Sequence, residues 1–194
     1  MNSWMFRIGL AWSLILLAVP AMAHGVHHHE SGWLAGLLHP FHGADHLLAA
    51  LAVGLWAGQH QDRSTWLLPV SFATALLLAA LVAHATGWAL PLMEPGIAAT
   101  VVLLGAFIAF AVRMPAAIGA GVLVLFAAFH GWAHGLEQPA GTGAVSYLAG
   151  LAAGTLGLHL VGVLAARRLV DAQQLRLAGG FLAGAGTMLL VGAM

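Results

Sequence analysis

His39-Pro-Phe-His-Gly-Ala-Asp-His46 runs without a break into Leu47-Leu-Ala-Ala-Leu-Ala-Val-Gly-Leu-Trp56. Imidazoles and a carboxylate stand where a strongly apolar helix is about to begin. Ionisable groups at the edge of a hydrocarbon core are costly and mark function. On one continuous helix His39, His42 and His46 fall at i, i+3 and i+7 and share a face that Asp45 borders. Pro40 suits a first helical turn, where its missing N–H costs nothing. Such a face supplies most of a divalent metal's coordination shell, and imidazole suits zinc, copper, iron and nickel.

The apolar run is one of several. Of 194 residues 61% are hydrophobic and only 6% charged, and the mean hydropathy is +0.95. A soluble domain carries about 25% charged residues, so this chain reads as an integral membrane protein with no separate soluble domain. It has no cysteine and its formal net charge is zero. Disulfides and thiolate metal sites are excluded, and nothing suits nucleic acid.

Upstream, Arg7, the apolar run Ile8 to Val19 and Ala21-Met22-Ala23 have the layout of a cleavable signal peptide over residues 1–23. The next segment, 24–38, is a His-rich periplasmic stretch. His24, His27, His28 and His29 with Glu30 read there as a loose collector of metal, or as a hydrophilic spacer. Residues 39–194 form the transmembrane domain.

The expected fold is all-α, a bundle of six transmembrane helices of about 20 residues each. They run near His39 to Gln59, Trp66 to Thr86, Gly96 to Val112, Ala116 to His134, Ser146 to Ala166 and Leu175 to Ala193. With the leader placing His24 outside, Arg63, Arg113, Arg167, Arg168 and Arg176 all fall inside, and Glu94 and Glu137 outside. That obeys the positive-inside rule at every loop. The expected location is a bacterial inner membrane, with both mature termini periplasmic. Gly150 with Gly154 and Gly180 with Gly184 read as ordinary small-residue packing.

The fourth helix ends in Phe129-His-Gly-Trp-Ala-His-Gly-Leu-Glu137. His130, His134 and Glu137 lie at i, i+4 and i+7 on one face. In this topology they reach the outer side, at the depth of the first cluster, and so does His84 near the end of the second helix. His159 lies deeper in the fifth helix, either as a second station for an inward-moving ion or as a hydrogen-bonding core residue. His60, with Asp62, reads as a solvated loop residue rather than an exit group.

The string His39 to Trp56 resembles the first-helix signature of the HupE/UreJ family, and Phe129 to Glu137 resembles its second. The His-Gly-Ala-Asp-His string is also similar to the motif of larger nickel–cobalt transporters. The resemblance implies a permease for Ni2+, with Co2+ as second candidate, of the kind associated with hydrogenase or urease maturation. It implies that His39, Asp45 and His46 are essential, with His130, His134 and Glu137 as a second ligand set. No permanent cofactor is expected. The expected partners are the divalent ion and the lipid bilayer, with a homo-oligomer left open and only an indirect link to maturation proteins. An intramembrane zinc hydrolase built on the same cluster is the alternative, although no His-Glu-x-x-His string is present. Haem held between histidine pairs is a third reading.

Overall fold

The computed structural model describes residues 32–60, 62, 64–169 and 171–194. The leader, the His24 to His29 run and Arg63 lie outside the described residues. Every regular element among the described residues is helical: α1 (Gly32–Leu38), α2 (Ala44–Gly58), α3 (Ser64–Thr86), α4 (Met93–Ala109), α5 (Ala116–Leu136), α6 (Ala144–Leu164) and α7 (Ala172–Gly192). A 3-10 turn, His39–Phe41, joins α1 to α2, and a π turn, Ala165–Leu169, follows α6. Four helices, α3, α5, α6 and α7, are long and apolar enough to cross a membrane; α2 and α4 are apolar but shorter.

The first expected helix is corrected by this layout. His39, His42 and His46 do not share one continuous helix. His42 N donates to His39 O to close the tight turn, and Gly43 is extended at φ −107°, ψ 128° before α2 starts at Ala44. The broken backbone lets His39 and His46 approach their partners from different directions. The segment before His39 also differs from a plain spacer, because Gly32–Leu38 folds as α1 against α6. That contact is backbone to backbone: a Cβ at Gly36 would meet the Tyr147 carbonyl, and one at Gly150 the Trp33 carbonyl. Further along, α4 begins at Met93, with Pro95 absorbed into its first turn. It ends at Ala109, and the chain reverses through Ala111 at φ 50°.

Short α2 is the axle. It packs against α3, α4, α6 and α7, and Leu48, Ala49, Ala52, Val53, Trp56 and Ala57 are all buried. Its 15 residues span about 22 Å at 1.5 Å each, less than a hydrocarbon core of about 30 Å. Enclosure by longer helices makes that shortfall tolerable. The closest pairings around it are α3 with α5 and α4 with α7. On α5, Gly131 and Gly135 press against the Leu76 and Ala80 carbonyls of α3, which holds the intervening His134 in place. Gly180 and Gly184 of α7 face open space.

The two ends of the bundle differ. At one end, Arg167 Nη2 donates to the His60 carbonyl at 3.0 Å and to Thr65 Oγ1 at 2.7 Å. Arg176 Nε donates to the Ala109 carbonyl, and Trp56 Nε1 to the Val112 carbonyl. His60 is therefore no solvated loop residue. It is buried, and its Nδ1 lies 3.1 Å from the Trp56 carbonyl. Polar neighbours in sequence suggested solvent; Arg167, 107 positions away, covers it instead. The start of α2 and the end of α5 lie at the opposite end.

Candidate metal centre

The start of α2 and the end of α5 bring four imidazoles into one ladder. The His39 ring is 4.8 Å from that of His134, the His134 ring 4.3 Å from that of His46, and the His46 ring 4.9 Å from that of His130. At the outer rung His39 Nε2 lies 3.1 Å from Glu137 Oε2. One ligand atom each from His39, His134 and Glu137 falls within a 4.8 Å group. The outer rung is the open one: Glu137 is exposed and His39 half-buried, whereas His134, His46 and His130 are buried.

The chain fixes which nitrogens are free. Asp45 sits in the first turn of α2, where a carboxylate suits the helix dipole. Its Oδ1 accepts from the His46 backbone N–H at 2.8 Å and lies 2.8 Å from His46 Nδ1. A carboxylate only accepts, so Nδ1 carries the proton and Nε2 of the neutral ring keeps its lone pair. His46 Nε2 is buried without a hydrogen-bond partner. Carboxylate–histidine pairs of this kind orient imidazoles in metal sites, and here both contacts engage Asp45 Oδ1 with His46.

His130 is fixed in the same way by a residue the sequence did not single out. Thr100 Oγ1 donates to the Ile97 carbonyl at 2.7 Å and lies 2.7 Å from His130 Nε2. The hydroxyl has one proton, already given to Ile97. His130 Nε2–H therefore donates to Thr100, and Nδ1 keeps the lone pair. No motif marks Thr100; a threonine in a membrane helix most often bonds its own backbone, as this one also does. His134 Nδ1 is buried and unpartnered. Tyr147, fully buried, lies beside the His39 ring and donates its hydroxyl proton to the His134 carbonyl. Buried polar groups left unpaired cost about 1–3 kcal/mol each, so lone pairs gathered without partners point to a ligand.

Two of the expected ligands stand apart. His42 is exposed at the rim, its ring 6.2 Å from that of His39. His84 is exposed in the last turn of α3, and none of the ring contacts joining the ladder includes it. Conversely, Glu94 shares an open cleft of about 940 Å³ with Asp45, between α2, α4 and α7. The cleft meets the site through Asp45 and not through the histidines.

Apolar helices around a cluster of histidines and carboxylates mark a multi-pass membrane protein with side chains of metal-ligating type gathered at one end of the bundle. Sequence comparison gives the lineage. The profile of the HupE / UreJ protein family matches residues 12–189, and the chain belongs to that family. It is 44% identical to "Protein HupE" of Rhizobium leguminosarum bv. viciae over 184 residues, covering 93% of this chain and 96% of that one. No solved structure matches it.

Proposed function

We propose that this protein is a permease or channel that takes up a divalent transition metal, Ni2+ foremost, from periplasm to cytoplasm to supply hydrogenase or urease maturation. The observation that carries the reading is the ladder of imidazoles with unpartnered nitrogens at one end of the bundle. Membership of the HupE/UreJ family supports transport and favours nickel, with cobalt second. In the proposed topology six helices cross the inner membrane after a cleaved leader. The ladder faces the periplasm, where both mature termini lie, and the arginine end faces the cytoplasm. His39, His46, His130, His134 and Glu137 bind the ion, Asp45 orients His46, and His42 with the His24 to His29 run gathers metal outside.

Energy comes from the membrane. The chain has no Gly-Lys-Ser/Thr phosphate loop, so uptake runs without its own ATP hydrolysis. A doubly charged ion moving inward gains about 4.6 kcal/mol per 100 mV. That equals about three decades of concentration.

Radioactive nickel uptake in cells lacking other nickel importers, with cobalt, zinc and copper as competitors, tests the reading. The expected result is nickel accumulation, strongest competition from cobalt, and loss of uptake in His46→Ala and His130→Ala variants that remain in the membrane. Normal accumulation by those variants overturns it.

A further inference from the structure

Among the described residues His159 is the one histidine with both ring nitrogens fully enclosed and without a hydrogen-bond partner. His46, His60 and His130 each engage at least one nitrogen. The Pro69 backbone of α3 is close enough to act on the His159 ring as a hydrogen-bonding group, but no well-aligned hydrogen bond forms. Thr155 lies four residues earlier on α6, on the same face, and its buried hydroxyl is also unpartnered. Three buried polar atoms thus sit together without partners, against the rule for folded interiors.

Their position gives them a use. The Phe72 ring of α3 lies 5.8 Å from His130 and 5.4 Å from His159. The line of rings from His39 through His134, His46 and His130 therefore continues past Phe72 to His159. That residue is sixteenth in the 21 residues of α6 and lies toward the arginine end. Phe72 is buried and apolar, and an apolar ring between two ion positions acts as a gate.

Resting on the transport reading above, we propose that His159 and Thr155 form an inner transit station for a partly hydrated divalent transition-metal cation, entered from the ladder past Phe72. One imidazole and one hydroxyl, with water completing the shell, hold such an ion weakly. Weak holding is what passage requires, because a deep inner trap would stop flow. The ladder captures; the inner station hands on.

Purified full-length protein in liposomes, with Ni2+ influx driven by an imposed potential, tests this beside Ni2+ binding titrations in detergent. His159→Leu is expected to cut influx at saturating Ni2+ by about tenfold or more and to leave the capture affinity within about twofold. Thr155→Val, which keeps shape and removes only the hydroxyl, is expected to reduce influx by about threefold. His159→Gln, which restores a polar donor and acceptor, is expected to recover part of the rate. Wild-type influx in both His159→Leu and Thr155→Val overturns the station and leaves these groups as hosts for buried water. A fall in capture affinity that matches the fall in influx overturns it as well, since His159 would then only support the ladder. Failure of the wild-type protein itself to carry Ni2+, despite binding it, refutes the transport function, and the station falls with it.

Discussion

Replacing Asp45 by Asn separates orienting a ligand from being one. Asp45 Oδ1 has two partners in His46, the backbone N–H and ring Nδ1, both at 2.8 Å. The backbone bond is the same with and without metal, so it cancels in a binding measurement. The ring bond does not cancel: metal at Nε2 polarises the imidazole and strengthens donation from Nδ1. An Asn carbonyl still accepts, but without charge. The bond then drops from about 1.5–3 kcal/mol, as for charged acceptors, to about 0.5–1.5 kcal/mol. The difference of about 1–2 kcal/mol corresponds to about 5–30-fold weaker binding. This overlaps the 10–100-fold typical, roughly, of outer-sphere partners of metal-bound histidine. Isothermal titration of purified protein with Ni2+ reads the affinity directly, and nickel uptake reads it as a raised KM with little change at saturation. Wild-type affinity in Asp45→Asn would refute the orienting role. So would a loss as complete as that of His46→Ala, because the carboxylate would then be a ligand itself.

Thr100→Val should weaken Ni2+ binding by about tenfold, because His130 loses the partner that fixes its tautomer, and Thr100→Ser should restore most of it; equal behaviour of the two variants would deny the hydroxyl any part. Acid should inhibit uptake. An ordinary imidazole titrates near 6.5 and binds metal only when deprotonated, so protons compete increasingly as external pH falls below about 6; flat uptake down to about pH 5 would remove histidine from capture. Gly135→Val should lose most folded protein, since its side chain would enter the Ala80 carbonyl of α3, whereas Gly184→Val, facing open space, should accumulate normally; a membrane-fraction immunoblot compares them.

Much of the helical layout was legible because each apolar run is bounded by residues that end helices. Pro91 closes one loop, and Asp171 with Gln174 forms a capping box that starts α7. The third helix was expected near Gly96 and begins at Met93, because Pro95 is tolerated in a first turn as readily as in a loop. The break at His42 and Gly43 was hidden for a different reason. Spacing of i, i+3 and i+7 fits a helix, yet it does not require one, and Gly43 leaves the backbone free to turn. The meeting of His46 with His130 was legible from topology and depth. Thr100 was not, because its part depends on the rotation of α4 about its axis, which an almost uniformly apolar helix does not advertise. The same ambiguity covers His84: depth alone gave no sign that it would face outward.

The central place of α2 also has a bearing on how the protein is made. Translation delivers α2 ahead of α3, α4, α6 and α7, the helices that enclose it. Until they arrive its Asp45–His46 end lacks most of the protein wall that surrounds it in the finished fold, and the hydrogen bonds between the two residues are formed within α2 itself. Shortness adds to the exposure, since about 22 Å of helix cannot settle across a full bilayer alone. Burial of this segment therefore depends on neighbours that come later in the chain. Packing of the bundle and completion of the histidine ladder are thus one event, because His46 meets His130 and His134 only once α5 has joined α2 and α3.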